Sequence, residues 1–251
     1  MGKTLGLVAV RLKSSRLPKK ALRDLAGEAV LVRLMERVRK AATLDEVIIC
    51  TSTHPQDDAI EELAKHHGYP IFRGDELDVM GRFLEAAKPR NADIIVRITG
   101  DNPLTDPAMI DTMVTALKSQ GAEYAFTEDL PRGTRAEVIS LAALERCYAL
   151  LEDPASSEYM TLMIKRPDHF KVLCVEAIDK ATKRPELRLT IDTPQDYEVV
   201  SNLFEAFDGA PETLEEAIAW LDSNPGVREL NAAIEPREID SSINVRLKGD
   251  G

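Results

Sequence analysis

Cysteine, aromatic residues and long apolar runs are all scarce in this sequence. The 251 residues include 3 cysteines, and aromatic residues make up 5% of the chain. Cys50, Cys147 and Cys174 are odd in number and far apart, which argues against a disulfide framework or a CxxC metal site, and their apolar neighbours predict buried free thiols. The apolar runs have the length of a strand, so we predict no membrane span and no signal peptide, and we expect a cytoplasmic protein.

Positive charge is also in short supply. Lys and Arg number 32 against 43 Asp and Glu, which gives a net charge of −11. Such a surface repels phosphate backbones, so we expect no nucleic-acid partner, and an anionic ligand would need a local cationic site. The chain also lacks GxxxxGK[ST], GxGxxG and Asp-x-Asp motifs, which leaves a P-loop enzyme, a dinucleotide-binding protein and a metal-dependent glycosyltransferase without support.

Strand-length apolar runs alternate with helical patterns in the first half of the chain. We predict strands over 4–10, 47–51, 70–72 and 94–98, and helices over 30–42, 56–67 and 79–87. This alternation indicates right-handed βαβ units and an α/β fold, with a mostly parallel central sheet and helices on both faces. Ligands of such sheets bind beyond the carboxyl ends of the strands.

The second half of the chain is more mixed. We predict helices over 107–120, 141–151, 156–165 and 213–223, strands over 123–126, 137–140, 170–175 and 187–191, and an irregular tail from about residue 231. Thr193, Pro194 and Asp196 predict a capping box that starts a helix running to about residue 207. Since no linker separates independent units, we expect a single domain over 1–251, with a core over about 4–207 and a C-terminal helix and tail over about 208–251.

The loop after the first strand is rich in cations. Residues 11–23 include six Lys or Arg side chains and no acid. This loop would lie at the ligand-binding edge of the sheet, where bidentate Arg and compact Lys charges suit a polyphosphate. The alternative interpretation is a solvated basic loop.

Two carboxylates are predicted at the same edge. Asp101 follows the strand over 94–98 after Gly100, which allows a tight turn, and Asp192 follows the predicted strand over 187–191. A carboxylate beside phosphates commonly holds Mg²⁺, although Asp101 could instead form an Asx turn and Asp192 could merely precede a helix cap. Together the cations and carboxylates indicate Mg²⁺-dependent transfer at a nucleoside triphosphate.

Several segments resemble one family. Residues 11–20, Arg-Leu-Lys-Ser-Ser-Arg-Leu-Pro-Lys-Lys, resemble the A-R-x-x-S-x-R-L-P-x-K signature of the cytidylyltransferases that activate acidic sugars, the Kdo and acylneuraminate enzymes. Residues 100–104 and 189–196 resemble the G-D-x-P-L and (T/R)-V-D-T-P-x-D segments of that family, and 72–83 and 131–138 are also similar. The likeness spans about 4–207 and is greatest for the branch named for a spore coat polysaccharide biosynthesis protein. Val10 stands where the signature has Ala, and Tyr159 stands where relatives of this branch often have His.

The resemblance implies a Rossmann-like nucleotide-diphospho-sugar transferase fold and the reaction of CTP with a sugar to give a CMP-sugar and pyrophosphate. It implies catalytic roles for Arg11, Lys20 and Asp101, and Mg²⁺ held by Asp101 and Asp192. The implied nucleotide-binding residues are Val8, Ala9, Val10, Arg11, Ser14, Arg16, Lys20, Gly100 and Asp101. The implied substrate-binding residues are Arg73, Asp78, Arg82, Arg132 and Glu137. The expected partners are CTP, a small acidic sugar and, in a homodimer, a second copy of the chain.

Two other functions remain open at this point. One is a sugar-1-phosphate nucleotidyltransferase that uses another base, although the glycine-rich first loop typical of those enzymes is missing. The other is a non-catalytic regulator that binds a nucleotide or a sugar. The joint presence of Arg11, Arg16, Lys20, Asp101 and Asp192 argues against the regulator.

Overall fold

The central element of the fold is a mostly parallel β-sheet. The computed structural model describes residues 2–14, 16–235 and 245–248. Within these residues the strands are β1 (Lys3–Ala9), β2 (Asp24–Leu25), β3 (Glu28–Ala29), β4 (Glu46–Ser52), β5 (Ile71–Gly74), β6 (Ala92–Thr99), β7 (Tyr124–Phe126), β8 (Glu137–Ser140) and β9 (Val172–Cys174). The main sheet has the order β5-β4-β1-β6-β8-β7-β9, and β2 pairs with β3 in a separate ribbon. Among the described strands of the main sheet, β8 alone runs antiparallel to its neighbours.

Helices surround this sheet. The described α-helices are α1 (Val30–Val38), α2 (Asp58–His67), α3 (Val79–Ala87), α4 (Pro107–Gln120), α5 (Leu141–Leu150), α6 (Met160–Ile164), α7 (Pro194–Ala206), α8 (Leu214–Ser223) and α9 (Pro225–Arg228). Short 3₁₀ turns span Lys20–Leu22, Pro55–Asp57, Lys88–Arg90, Pro154–Tyr159, Lys180–Thr182 and Glu229–Asn231. No helix in the described part of the chain has the length and apolar character needed to cross a membrane.

Each face of the sheet has its own hydrophobic core, because successive side chains of a strand point to opposite faces. On one face Val8 belongs to a cluster that includes Leu31 of α1 and side chains of α2, α4 and α7. On the other face Leu7 belongs to a cluster that includes Phe83 of α3 and side chains of α5 and α6. Burying each large apolar side chain stabilises the fold by about 1.5–3 kcal/mol, so the two cores hold the central strands on both sides.

The carboxyl ends of β1, β4 and β6 lie side by side. Ala9, the last residue of β1, pairs with Cys50 of β4 and with Thr99 of β6. Since these strands are parallel, the loops that follow them emerge at the same edge of the sheet. This register brings the cationic loop next to the turn that contains Asp101.

The prediction for the first half of the chain is confirmed, apart from the end of one helix. The predicted strands correspond to β1, β4, β5 and β6, and α2 and α3 lie where helices were expected. The helix predicted over 30–42 is α1, which ends at Val38. Asp111 accepts hydrogen bonds from the N–H groups of Ala42 (3.0 Å) and Thr43 (2.8 Å), so the chain turns toward β4 here instead of continuing as a helix.

The predicted strand over 187–191 is wrong. This segment is extended, but within the described residues it makes an isolated bridge to the turn that precedes β8 and is not a strand of the sheet. The N–H of Leu189 donates to the carbonyl of Arg132 at 2.7 Å, and the N–H of Ile191 donates to the carbonyl of Asp101 at 2.8 Å. The segment therefore passes beside the ends of the sheet, because its hydrogen-bond partners lie on two separate turns.

The segment 156–165, which was predicted to be one helix, also has a different structure. The chain forms the 3₁₀ turn Pro154–Tyr159 and then the short α6. The Ser157 hydroxyl donates to Oδ1 of Asp78 at 3.0 Å and accepts from the N–H of Met80 at 3.1 Å. These bonds tie the turn to the start of α3.

The other predicted elements of the second half lie within a few residues of α4, α5, α8, β7, β8 and β9, and α7 begins with the predicted capping box. Of the predicted tail, residues 236–244 and 249–251 lie outside the described residues. Cys50 and Cys147 are buried as predicted, but Cys174 is exposed. It is the last residue of β9, at the edge of the sheet, where no further strand among the described residues covers it.

We expect Gly133→Ala to destabilise the protein by about 2 kcal/mol or more. Gly133 has φ of +94°, and a Cβ atom would lie 2.2 Å from the backbone nitrogen of Thr190, so a side chain would add both backbone strain and a clash. Urea unfolding monitored by circular dichroism measures the change. Gly226→Ala is the matched control, because among the described residues no atom beyond its chain neighbours and its own helix backbone lies within 4 Å of its Cβ position. A Gly133→Ala protein as stable as this control would contradict the prediction.

Candidate active site

Three chain segments meet at the carboxyl edge of the sheet. They are the loop after β1, the turn after β6 and the residues that precede α7. Together with the start of α3 they line a cleft of about 520 Å³. The volume is large enough for a small-molecule ligand.

A cluster of opposite charges lies at the centre of this cleft. Nζ of Lys20 lies 2.6 Å from Oδ2 of Asp101 and 3.1 Å from Oδ1 of Asp192. Nη2 of Arg16 also bonds to Asp192. The side chains of Lys20, Asp101 and Asp192 are 16%, 24% and 17% exposed, so water screens their interactions only in part. Burial alone would lower the pKa of Lys20, but the two carboxylates outweigh burial and raise it.

Buried residues hold the cationic loop in place. The N–H of Leu12 donates to Oδ1 of Asp57 at 2.8 Å, and the Ser52 hydroxyl donates to the other Asp57 oxygen at 2.5 Å. Leu12, Leu17 and Ala21 are buried. Because these apolar side chains alternate with the cations in sequence, burying them leaves the cations free to line the cleft.

Gly100 allows the turn after β6 to approach β1 closely. Its N–H donates to the carbonyl of Ala9 at 2.9 Å, and a Cβ atom at this position would lie 2.6 Å from Cβ of Val10. Any other residue would push the two loops apart. Glycine at this position therefore brings Asp101 close to the loop that carries Lys20.

A buried ion pair holds the backbone at Asp192. Arg188 donates two hydrogen bonds to Asp196, at 2.6 and 2.9 Å. Oδ2 of Asp196 accepts from the N–H groups of Asp192 (3.2 Å) and Thr193 (3.0 Å). The Asn231 amide donates to Oδ1 of Asp196 and to the Arg188 carbonyl, both at 3.0 Å. The backbone from which the Asp192 side chain extends is therefore held in place by several hydrogen bonds.

The donor set of the cleft fits a hard divalent cation. One oxygen of Asp101 and one of Asp192 converge on the same Lys20 ammonium, so both carboxylates can face a common point. Mg²⁺ prefers oxygen ligands and commonly uses one or two carboxylates together with phosphates and water. No group of three or more His, Cys, Asp or Glu side chains suited to a metal occurs in the described residues, so any further ligands would come from a substrate or water.

A comparison with known protein families identifies the family to which the chain belongs. The family model described as "Cytidylyltransferase" matches residues 5–222. The chain belongs to the cytidylyltransferase family. It is therefore a nucleotidyltransferase, and the fold and family that the sequence resemblance implies are confirmed.

Individual relatives agree with this assignment. The cytidylyltransferase is 34% identical over 249 residues to the spore coat polysaccharide biosynthesis protein SpsF of Bacillus subtilis, and the match covers 96% of this chain and 100% of that protein. A solved cytidylyltransferase from Leptospira borgpetersenii is 30% identical with a TM-score of 0.83, covering 91% of this chain and 98% of that one. The CMP:2-keto-3-deoxy-manno-octonic acid synthetase complexed with CTP is 19% identical with a TM-score of 0.62, covering 82% and 99%, and shares the fold.

Most of the site residues predicted from the sequence line the cleft. Those residues are Ala9, Val10, Arg11, Ser14, Arg16, Lys20, Arg82, Gly100, Asp101 and Asp192. Val8 lies one residue earlier in β1 and is fully buried in the core.

Four of the predicted substrate-binding residues lie outside the cleft lining. Arg73 and Asp78 have other partners: Arg73 bonds to Glu61 at 2.5 Å, and Asp78 caps α3 and accepts from the Tyr148 hydroxyl at 2.6 Å. Arg132 lines a separate cavity. Glu137 lies behind the cleft and is described with Arg97 below.

Arg97 is a cleft residue that the sequence analysis missed. It lines the cleft from β6, and its Nη1 bonds to Oε2 of Glu137 at 2.6 Å. Burial alone would raise the pKa of Glu137, but Arg97 and the hydroxyls of Tyr124 and Thr161 outweigh burial and lower it. A charged residue within an otherwise apolar central strand was the signal that could have identified it. Glu158, which bonds to Arg11 at 2.6 Å, was missed because nothing in its sequence context indicates that pairing.

Arg82 is the least satisfied charge in the cleft. The residue is 3% exposed, and its Nε and Nη1 atoms are buried without a hydrogen-bond partner among the described residues. Burial lowers the pKa of Arg82, and the positive charge of Arg11 contributes to the shift. A buried guanidinium without an acceptor is costly, so a ligand oxygen would be bound favourably here.

We expect Asp196→Asn to destabilise the protein by about 3 kcal/mol at pH 7, because it removes the carboxylate that bonds to the buried Arg188 and leaves it with the more distant Asp192, at 3.7 Å. Burial alone would raise the pKa of Asp196, but Arg188, Asn231 and Thr193 outweigh burial and lower it. The carboxylate therefore contributes stability above the unfolded Asp pKa of about 3.9, and this contribution is lost as the pH falls through the lower native pKa.

Urea unfolding from pH 7 down to about pH 3 measures this effect, with the variant and wild type converging at the acidic end. Asp222→Asn is the control, since Asp222 pairs with Arg184 and Arg228 at the surface and should contribute about 1 kcal/mol or less. A difference between Asp196→Asn and wild type that does not depend on pH would contradict the assigned ion pair.

Proposed function

We propose that this cytidylyltransferase is a Mg²⁺-dependent enzyme that transfers CMP from CTP to a small acidic sugar and releases pyrophosphate. The observation that carries the proposal is that Lys20 bonds to both Asp101 and Asp192. Lys20 belongs to a loop with further cations, of which Arg16 also bonds to Asp192. A triphosphate needs cations, and a metal that activates it needs carboxylates. Both are available within one cleft.

In the proposed reaction a sugar hydroxyl attacks the α-phosphate of CTP. A bond forms between the sugar oxygen and the α-phosphorus, and the bond from that phosphorus to the oxygen that bridges to the β-phosphate breaks. The bond electrons leave with pyrophosphate, and the hydroxyl proton passes to water. Attack and departure lie in line, so positioning and charge stabilisation supply most of the catalysis.

Three of the six cations of the loop have a proposed role in this step. Lys20 and Arg16 would contact the triphosphate and offset the charge that builds on the departing pyrophosphate. Arg11 would act with them, and the Ser14 hydroxyl would donate a hydrogen bond. The pKa of Lys20 is raised, so the ammonium stays charged at neutral pH.

Asp101 and Asp192 are the residues that would hold Mg²⁺. When bound, the metal would neutralise phosphate charge and make the α-phosphorus more electrophilic. Lys20 bonds to both carboxylates, and we propose that it moves from them to the phosphates when CTP and the metal bind.

The nucleotide and the sugar would use different parts of the cleft. The backbone at Val8, Ala9, Val10 and Gly100 would lie along the base and ribose, where Gly100 permits close approach. Arg82 lines the cleft from α3. We propose that it contacts the nucleotide rather than the sugar. Of the other predicted substrate-binding residues, we propose supporting roles for Arg73, Asp78 and Glu137, because their polar groups already have partners.

The acidic sugar is supported by the relatives. SpsF is named for spore coat polysaccharide biosynthesis, and a protein with the same fold is named for the activation of an acidic sugar and was solved with CTP. We extend that chemistry to this chain, which would then contribute to polysaccharide biosynthesis. The cytoplasmic location, the homodimer, the absence of a nucleic-acid partner and the single domain over 1–251 all stay predictions.

The test is pyrophosphate release with Mg²⁺ and CTP, GTP, UTP or ATP, each with a panel of 2-keto-3-deoxy sugar acids and sugar 1-phosphates. We expect release with CTP and an acid sugar only, and we expect Asp101→Asn to fold normally and lose nearly all turnover. Release with another nucleotide and a sugar 1-phosphate would favour the alternative transferase. Nucleotide binding without turnover across the panel would favour the regulator.

We expect Lys20→Gln to raise the KM for CTP roughly 10- to 100-fold, the effect of losing a charged hydrogen bond. The measurement is steady-state kinetics at saturating Mg²⁺. Lys19→Gln is the matched control, because this neighbouring side chain is exposed and lies outside the cleft lining. Equal effects of the two substitutions would mean that the loop acts through its overall charge and not through Lys20.

A further inference from the structure

A second cavity lies next to the active-site cleft. It has a volume of about 910 Å³, and the arginines that line it are Arg132, Arg135, Arg184, Arg188 and Arg228. We refer to it as the arginine cavity. In a chain with a net charge of −11, such a concentration of guanidinium groups needs an explanation.

Two of these arginines have no acidic partner. Arg184, Arg188 and Arg228 pair with Asp222, Asp196 and Asp222 respectively. In the described part of the chain no carboxylate lies within ion-pair distance of Arg132 or Arg135, and the one hydrogen bond from the Arg135 side chain goes to the Leu130 carbonyl at 2.7 Å. Burial and, to a smaller extent, the positive charge of Arg132 lower the pKa of Arg135. An anion between the two guanidinium groups would relieve their repulsion.

The turn that carries these two arginines is rigid. The Thr134 hydroxyl donates to the Pro131 carbonyl at 2.9 Å, and the Thr134 carbonyl accepts from the N–H of Asp106 at 2.9 Å. Gly133 packs against the backbone of Thr190 so closely that no side chain fits between them. The guanidinium groups therefore extend from a fixed backbone, which lowers the entropic cost of binding a ligand.

The sheet order places this turn and the cationic loop beside the two strands that neighbour β6. Asp101 follows β6, whose two neighbours in the sheet are β1 and β8. Lys20 and Arg16 follow β1, whereas Arg132 and Arg135 precede β8. The segments that carry the two pairs of cations thus adjoin the sheet on the two sides of β6, and Arg132 is close enough to Arg16 and Asp192 for their charges to interact.

The geometry of in-line transfer suggests a different role for each of the two pairs of cations. The nucleophile and the leaving group must lie on opposite sides of the α-phosphorus. If pyrophosphate leaves toward Lys20 and Arg16, the acceptor sugar approaches from the side of β8. An acidic acceptor carries a carboxylate, and the unpaired cations on that side are Arg132 and Arg135.

We propose that Arg132 and Arg135 bind the carboxylate of the acceptor sugar and select acids over neutral sugars. The inference rests on the proposed function, and it adds a specificity site in the arginine cavity. Arg73 is a weaker candidate because its donors are bonded to Glu61, Asp58 and backbone carbonyls.

The test compares wild type with the Arg132→Gln/Arg135→Gln double variant, using Kdo and N-acetylneuraminate and their methyl esters as acceptors with CTP and Mg²⁺. We expect the double variant to raise the KM for the accepted acid roughly 10- to 100-fold, with a CTP dissociation constant by calorimetry within about twofold of wild type. Wild type should discriminate against the ester by a similar factor, and the double variant should not. Arg228→Gln is the control, because it lines the same cavity but is paired with Asp222.

The other outcomes separate this inference from the proposed function. A double variant with an unchanged KM for the acid would overturn the carboxylate site and leave the transferase activity standing. Weakened CTP binding in the double variant would mean that the cavity holds a phosphate of the nucleotide, which also overturns the inference. Turnover by wild type with sugar 1-phosphates only, or with no acceptor, would reject the acidic acceptor and the inference together.

Discussion

The candidate active site depends on two carboxylates that are held close together with an ammonium group between them. Asp101 and Asp192 would repel each other if they were alone, but Lys20 bonds to both, at 2.6 and 3.1 Å. The three residues come from the loop after β1, the turn after β6 and the segment before α7. The parallel strands bring two of these segments to one edge, and the extended chain before Asp192 brings the third.

Other features of the edge maintain this arrangement of charge. Gly100 sets the distance between the two loops, Asp57 fixes the start of the cationic loop, and Asp196 fixes the backbone at Asp192. Each of the two buried aspartates accepts hydrogen bonds from more than one donor, which offsets the free-energy cost of burying it. The candidate site therefore rests on a rigid backbone, which accurate positioning of a ligand requires.

The sequence predicted what depends on local patterns and missed what depends on distant partners. The strands β1, β4 and β6 were predictable because continuous apolar runs are typical of strands covered on both faces. The segment 187–191 instead alternates apolar and polar residues, a pattern that also indicates a strand, but it passes beside the ends of the sheet because its hydrogen-bond partners lie on two separate turns. Arg11 and Lys20 were singled out because they belong to a cation-rich loop that follows a strand and resembles a family signature, and Asp101 because it lies just after a strand end.

Roles that depend on pairing were harder to predict. Arg73 was expected to bind the sugar, but its guanidinium group is bonded to Glu61 and Asp58, and no spacing in the sequence indicates those bonds. Asp196 was predicted only as part of a capping box, yet it is also the partner of Arg188. Asn231 completes that network from beyond residue 222, where the family match ends. Because a protein is synthesised from its amino terminus, Arg188 and Asp196 leave the ribosome before Asn231 does. The α/β core can therefore form on the growing chain, whereas the hydrogen bonds that support the backbone at Asp192 are completed only after Asn231 has been synthesised.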